Sequence, residues 1–342
     1  MPVRVNFVID PRAAAWPDLA FLDERDIDAQ PSRFVGGRNS WIAQTFVRLR
    51  DALAQRGVEA APASRFEPGT LSIVHRDDAN RFGSGHASYL VVVRADRAPV
   101  HACDVAIRQN GLERLDNEFT IPLWPQPGLR PRDRVRGTRI ARIAYLGRGG
   151  ASPAWFRDPA FHAALASRGV VFEAREHDWH RCEDVDLVLA AREESGAVLA
   201  TKPATKLYNA WLAGIPVLAA PEPAYREARR GDLDFLEIAG AGDVLAAVDL
   251  LRARPELYRA MVDNGRVRGL EYSVPATRAR WLEFFDEVAL PGFLARRDEL
   301  ERRGAWHFRA MVRQRGASRL YKWTAGLQRL SRASTPPARS AV

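Results

Sequence analysis

The stretch "TKPATKLYNAWLAGIPVLA", residues 201–219, decides how this chain is read. It describes an apolar helix that opens on Thr201, Lys202, Thr205 and Lys206, stops at Gly214 and leads directly into a strand. Pro203 suits a first helical turn, where its missing N–H costs nothing. Gly214 is a natural C-terminal stop, with Pro216 close behind it. Backbone N–H groups on the first turn lack intrahelical partners, and the helix dipole adds partial positive charge there, so an anion is favoured. Lys202 and Lys206 add full charges, and the Thr201 and Thr205 hydroxyls add donors. The turn reads as a seat for a diphosphate.

Upstream lie a strand "RIARIAYLG" (139–147), a helix "PAFHAALASRG" (159–169), and strands "VVFEA" (170–174) and "VDLVLAA" (185–191). Such alternation predicts a doubly wound parallel sheet. Earlier still, "VRVNFVI" (3–9), "LSIVH" (71–75), "SYLVVV" (88–93) and "CDVAIRQ" (103–109) are strand-like. Between the first two, Ile42, Phe46, Leu49 and Leu53 recur at helical spacing. "PQPGLRPRDRVR" (125–136) breaks the hydrophobic pattern with prolines and charges and reads as a linker. The expectation is an α/β protein: a Rossmann-like lobe over 1–130 faces a second over 131–290 across a cleft, and a basic helical segment follows over 291–342.

Composition agrees. The 342 residues are 46% hydrophobic and 27% charged, which suits a folded chain with two cores. Two cysteines make neither a disulfide framework nor a metal-ligand pattern. No apolar run is long enough to span a bilayer, and the N-terminus reads as a strand, so the expected compartment is the cytoplasm. The net charge of +9 is local: residues 292–342 hold 12 Lys+Arg and 3 Asp+Glu. There Arg alternates with Trp306, Phe308, Tyr321 and Trp323, a pattern that suits either an anionic membrane surface, at the inner membrane face, or a helix packed on the body.

Residues 201–219 resemble the donor-site signature of GT-B glycosyltransferases of the group 1 type, the retaining glycosyltransferase 1/4-like family. "IAYLGRGG" (143–150) is similar to that family's first strand and glycine loop in the donor domain, and "GGRNSWIAQTFVRLRDALAQRGVEA" (36–60) to its N-terminal glycine loop and helix. The resemblance implies transfer of a sugar from a nucleotide-sugar to an acceptor hydroxyl, with no cofactor. It places Arg148 and Lys202 at the departing diphosphate, and Gly36, Gly37, Gly147, Gly149, Thr201, Thr205 and Lys206 around the donor. Asn209 stands where the family usually has a ribose-binding Glu.

Other residues are read from position. Arg192 and Glu193 follow the strand 185–191 and point toward the cleft. His75 and His101 follow strand-like runs in the first lobe and are candidates for a general base, which only an inverting course requires. Asp26/Asp28, Asp184/Asp186 and Asp232/Asp234 match an Asp-x-Asp pattern, but none ends a strand, so all are read as surface and no metal is expected. Two further classes stay open: a nicotinamide-dependent oxidoreductase, for which "GRGGAS" is a poor fingerprint, and a non-enzymatic nucleotide- or RNA-binding protein. No nucleic-acid motif is present, so a nucleic-acid partner is not expected.

Overall fold

The computed structural model describes residues 3–10, 16–35, 38–80, 85–112, 115–148, 152–194 and 196–333. The first lobe holds six parallel strands: β1 (Val3–Val8), β2 (Val58–Ala63), β3 (Leu71–His75), β4 (Tyr89–Val93), β5 (Val105–Arg108) and β6 (Glu118–Thr120), in the order β2-β1-β3-β4-β5-β6. Every residue of β3 and β4 is buried, as expected of central strands covered on both faces, Ser72 and His75 of β3 included. Helices α1 (Glu24–Ala29) and α2 (Arg38–Ala54) lie between β1 and β2 in sequence, and Ile42, Phe46, Leu49 and Leu53 of α2 enter the core. β2 was not legible in "VEAAPA", which has an edge strand's composition; Pro62 is tolerated because β2 ends the sheet.

The second lobe runs β7 (Arg142–Leu146), α3 (Pro159–Ala166), β8 (Val171–Arg175), β9 (Leu187–Ala190), α4 (Gly196–Leu199), α5 (Thr205–Ala213), β10 (Val217–Ala219), α6 (Pro223–Ala228), β11 (Leu236–Glu237), α7 (Ala241–Ala253) and α8 (Pro255–Gly269). Its strands are again all parallel, ordered β11-β10-β9-β7-β8. In each sheet the strand order reverses beside the first strand, between β1 and β3 and between β7 and β9. Ligands of doubly wound sheets bind outside the carboxyl ends at such points.

The C-terminal chain departs from the expected division at residue 290. Helices α9 (Val274–Phe284) and α10 (Leu290–Arg296) leave the second lobe and pack on the first, where Trp281, Phe284, Phe285 and Phe293 share a core with Phe7, Phe46 and Leu53. The buried Asp104 carboxylate fixes this return, accepting from Arg296 at 3.0 Å and the Leu90 amide at 2.8 Å and pairing with Arg303 at 2.8 Å. A basic helix, α11 (Gly304–Ala333), follows.

Two aspartates expected at the surface are interior hubs. Asp186 is fully buried and accepts from Arg132, Arg136 and the amides of Ala141 and Arg142. Asp234 accepts from Arg268, Asn264 and the amides of Arg230 and Gly231. Both are occupied with holding the linker or α8 and offer nothing to a metal. Among the described residues, no group of three His, Cys, Asp or Glu side chains is arranged to hold a metal ion.

Candidate functional site

Between the lobes lies a cleft of about 510 Å³, lined from both sides. The second lobe contributes Gly147 and Arg148 after β7, Trp179 after β8, Arg192 after β9, and Lys202, Thr205, Lys206 and Asn209 around the start of α5. Across from them stand Arg38 and Gln44 of α2, His75 at the end of β3, and Asp96 and Arg97 after β4. Eight of the residues read from the sequence therefore meet here: His75, Gly147, Arg148, Arg192, Lys202, Thr205, Lys206 and Asn209.

Helix α5 opens four residues later than the sequence suggests. Its N-cap is Ala204, which supplies no side-chain cap, so Pro203 stands outside the helix. Residues 200–202 instead close a separate turn on α4: the Thr201 and Lys202 amides donate to Val198 and Leu199. Asn110 of the first lobe stabilises that turn by donating to the Ala200 and Lys202 carbonyls at 3.0 and 2.9 Å. At the other end Gly214 adopts φ +70°, which a side chain would strain, and the Ile215 amide reaches back to Ala210.

The two lysines have different tasks. Lys202 pairs with Asp96 across the cleft at 2.9 Å and with Glu194 at 3.4 Å, so it ties the lobes together. Lys206 lies 4.9 Å from the Tyr145 ring centroid, and among the described residues its ammonium makes no hydrogen bond. Burial pushes its pKa down to about 7, with the Arg192 guanidinium adding to the effect. Beside it the Thr205 hydroxyl is buried with no partner. An uncapped helix N-terminus, a partnerless hydroxyl and a half-buried ammonium have the chemistry of an anion seat.

Gly147 makes room for that ammonium: a Cβ there would stand 3.0 Å from Lys206 Nζ and 3.1 Å from Cε. The atoms crowded are the flexible end of Lys206 and, at 3.3 Å, the edge of the Tyr145 ring, so Gly147→Ala should lower the melting temperature only slightly. It should weaken diphosphate binding by about tenfold, the loss expected for one displaced charge-assisted contact. Isothermal titration beside a thermal melt checks both parts.

His75 is buried, and its Nδ1 accepts from the Asp77 amide at 3.2 Å. The ring proton therefore resides on Nε2, and burial pushes the pKa down to about 4 against the pull of Asp77. The imidazole is neutral and offers the cleft a donor, which does not suit a general base. His101 is not in the cleft; its amide donates to Gln314 of α11 at 2.6 Å. Thr201 also turns away, donating to the carbonyls of Val198 and Asp96, and Glu193 accepts from the Ala154 amide. Arg192 reaches the cleft wall with its charge committed to Glu222. Asn209 lines the cleft while its Oδ1 accepts from the Gln126 amide of the linker at 3.1 Å. Gly36, Gly37 and Gly149 lie outside the described residues.

Arg38, Asp96 and Trp179 were not singled out in the sequence. Trp179 donates its indole N–H to the Arg175 carbonyl at 2.9 Å, which fixes the ring at the cleft wall. Its signal was position, since it closely follows the carboxyl end of a strand in a parallel sheet. Arg38 opens α2 directly after the Gly36–Gly37 pair and pairs with Asp78 at 3.2 Å.

No sequence-family model and no curated protein matches this chain. Solved structures do. AviGT4, a glycosyltransferase involved in avilamycin A biosynthesis, matches 85% of this chain and 99% of its own with a TM-score of 0.51 at 15% identity. Sucrose-phosphate synthase from Thermosynechococcus elongatus matches 84% of this chain and 99% of its own with a TM-score of 0.50 at 11% identity. With two parallel sheets facing across a cleft and a C-terminal segment that returns to the first lobe, the chain has the GT-B fold of these glycosyltransferases.

Proposed function

We propose that this protein transfers a sugar from a nucleoside-diphosphate sugar to an acceptor hydroxyl. The observation that carries the reading is the anion seat at the start of α5, where the Thr205 hydroxyl is buried without a partner and, among the described residues, the Lys206 ammonium makes no hydrogen bond. In sugar transfer the difficult charge is the one growing on the departing diphosphate. The α5 N-terminus, Thr205, Lys206 and the adjacent Arg148 are the groups that stabilise it, and no metal is required of them. The sugar then lies toward the first lobe, where His75 Nε2–H donates to a sugar hydroxyl. Trp179 offers the nucleobase a flat apolar face. With His75 neutral and protonated on Nε2, and His101 outside the cleft, neither histidine supplies an inverting enzyme's base.

Lys206 gives the reading a pH signature. With its pKa near 7, the empty site is about half protonated at neutral pH. A bound diphosphate favours the ammonium and raises that pKa, so binding takes up a proton. Nucleoside-diphosphate affinity should fall as pH rises above 7, approaching about tenfold per pH unit. Lys206→Arg, which stays charged, should flatten the profile. Equilibrium dialysis with UDP, GDP and ADP between pH 7 and 9 tests it. A flat wild-type profile, or no binding of any diphosphate, contradicts the proposal.

A further inference from the structure

We infer that the outer face of α11 is a docking surface for an anionic lipid bilayer. One side of the helix is fixed to the first lobe: Gln314, nearly fully buried, accepts from the His101 amide and donates to the Pro99 carbonyl at 2.7 Å, and Arg76 donates to Ser318 at 3.2 Å. The opposite side exposes Phe308, Val312 and Trp323, at 69%, 54% and 63% accessibility. Four and eleven residues separate them, so at 100° per residue they fall on one stripe. Arg309, Arg313, Arg315 and Arg319 are exposed around that stripe.

Between residues 304 and 333 there are six Arg, one Lys and no acidic residue. Residues 1–291 carry 39 basic and 39 acidic residues, after 12 and 3 are taken from the totals of 51 and 42. Seven of the nine excess charges therefore lie in this helix, and all nine in residues 292–342. Water alone gives no reason to align exposed Phe and Trp on a helix. A bilayer does: the aromatic stripe enters the headgroup boundary while arginines on either side snorkel to lipid phosphates. A nucleic acid would engage the charges and leave the stripe exposed. A second copy of the helix would be repelled by the same charges.

The helix also packs beside the cleft. It lies against α4, which leads to Lys202, and against the segments following β3 and β4, which flank His75 and supply Asp96 and Arg97. Docking would bring the rim of the cleft to the bilayer. On the glycosyl-transfer reading, and resting on it, the acceptor is an amphiphile held at the membrane surface.

Flotation of the full chain with vesicles of phosphatidylcholine, alone or with about one third phosphatidylglycerol, tests the surface. Binding to the anionic vesicles should exceed binding to the neutral ones by at least about tenfold and collapse at high salt. The F308S/W323S variant changes only exposed side chains and should keep the wild-type circular dichroism and melting temperature. It should lose at least about tenfold in binding. No preference for anionic vesicles, full binding by F308S/W323S, self-association through this face, or RNA that displaces the protein from vesicles would each overturn the inference. Nucleotide binding is measured separately in the same preparations, so the membrane surface and the cleft can fail independently.

Discussion

Lys206→Met should bind nucleoside diphosphates about a hundredfold more weakly than the wild type, the upper part of what hydrogen bonds to a charged group contribute. The same change should make the protein slightly more stable. The physical reason is one fact: the Lys206 ammonium is held in a partly dry cleft with its pKa pushed down to about 7. Because the folded pKa lies below the ordinary 10.5, the unfolded chain binds more protons between those values. Wild-type stability should accordingly rise with pH across that window, and Lys206→Met should lack the rise. At pH 7 the variant should gain about 1 kcal/mol, a shift of roughly 2 °C in melting temperature. Titration calorimetry and melts at pH 7 and 9 read both effects. A surface lysine would give neither.

The second large effect is structural. Asp186→Ala should destabilise the protein by about 3–5 kcal/mol, as expected when one partner of a buried ion pair is removed. Arg132, itself buried, loses its carboxylate, as does Arg136, and the amides of Ala141 and Arg142 lose their acceptor. Burial alone would raise the Asp186 pKa, but Arg136, the Ala141 amide and Arg132 outweigh it and hold the carboxyl below its usual range. Its contribution is therefore present above the unfolded pKa and is lost as pH falls through the lower, folded one. Urea unfolding of wild type and variant at pH 7 and near pH 3 should show the difference shrinking in acid. An unchanged midpoint at pH 7 would mean that Asp186 does not hold the linker to the second sheet.

What was legible in the sequence was local. The span from α5 to β10, with Gly214 between them, is set by near-neighbour chemistry, and β4 and β9, buried on both faces, carry unbroken apolar runs. Pairings between distant residues were not. Nothing near Lys202 reveals that Asp96, 106 residues earlier, pairs with its charge across the cleft. Asp186 reads as a polar start to a strand until Arg132 and Arg136 fold back onto it. His75 looks like a base because the hydrogen bond that fixes its tautomer comes from a backbone amide. The return of α9 and α10 to the first lobe follows from where their aromatic faces pack, which helical periodicity does not specify.

The most direct test of the central claim is a thermal-shift comparison of UDP, GDP, CDP, ATP and NAD on the wild type, Lys206→Met and Lys202→Met. A ligand at a hundred times its dissociation constant should add about 2.7 kcal/mol. The account predicts that one nucleoside diphosphate stabilises the wild type, loses its effect in Lys206→Met, and keeps part of it in Lys202→Met. Stabilisation by NAD alone, or by a diphosphate that acts equally on wild type and Lys206→Met, would contradict the assignment of this cleft as a nucleotide-sugar site.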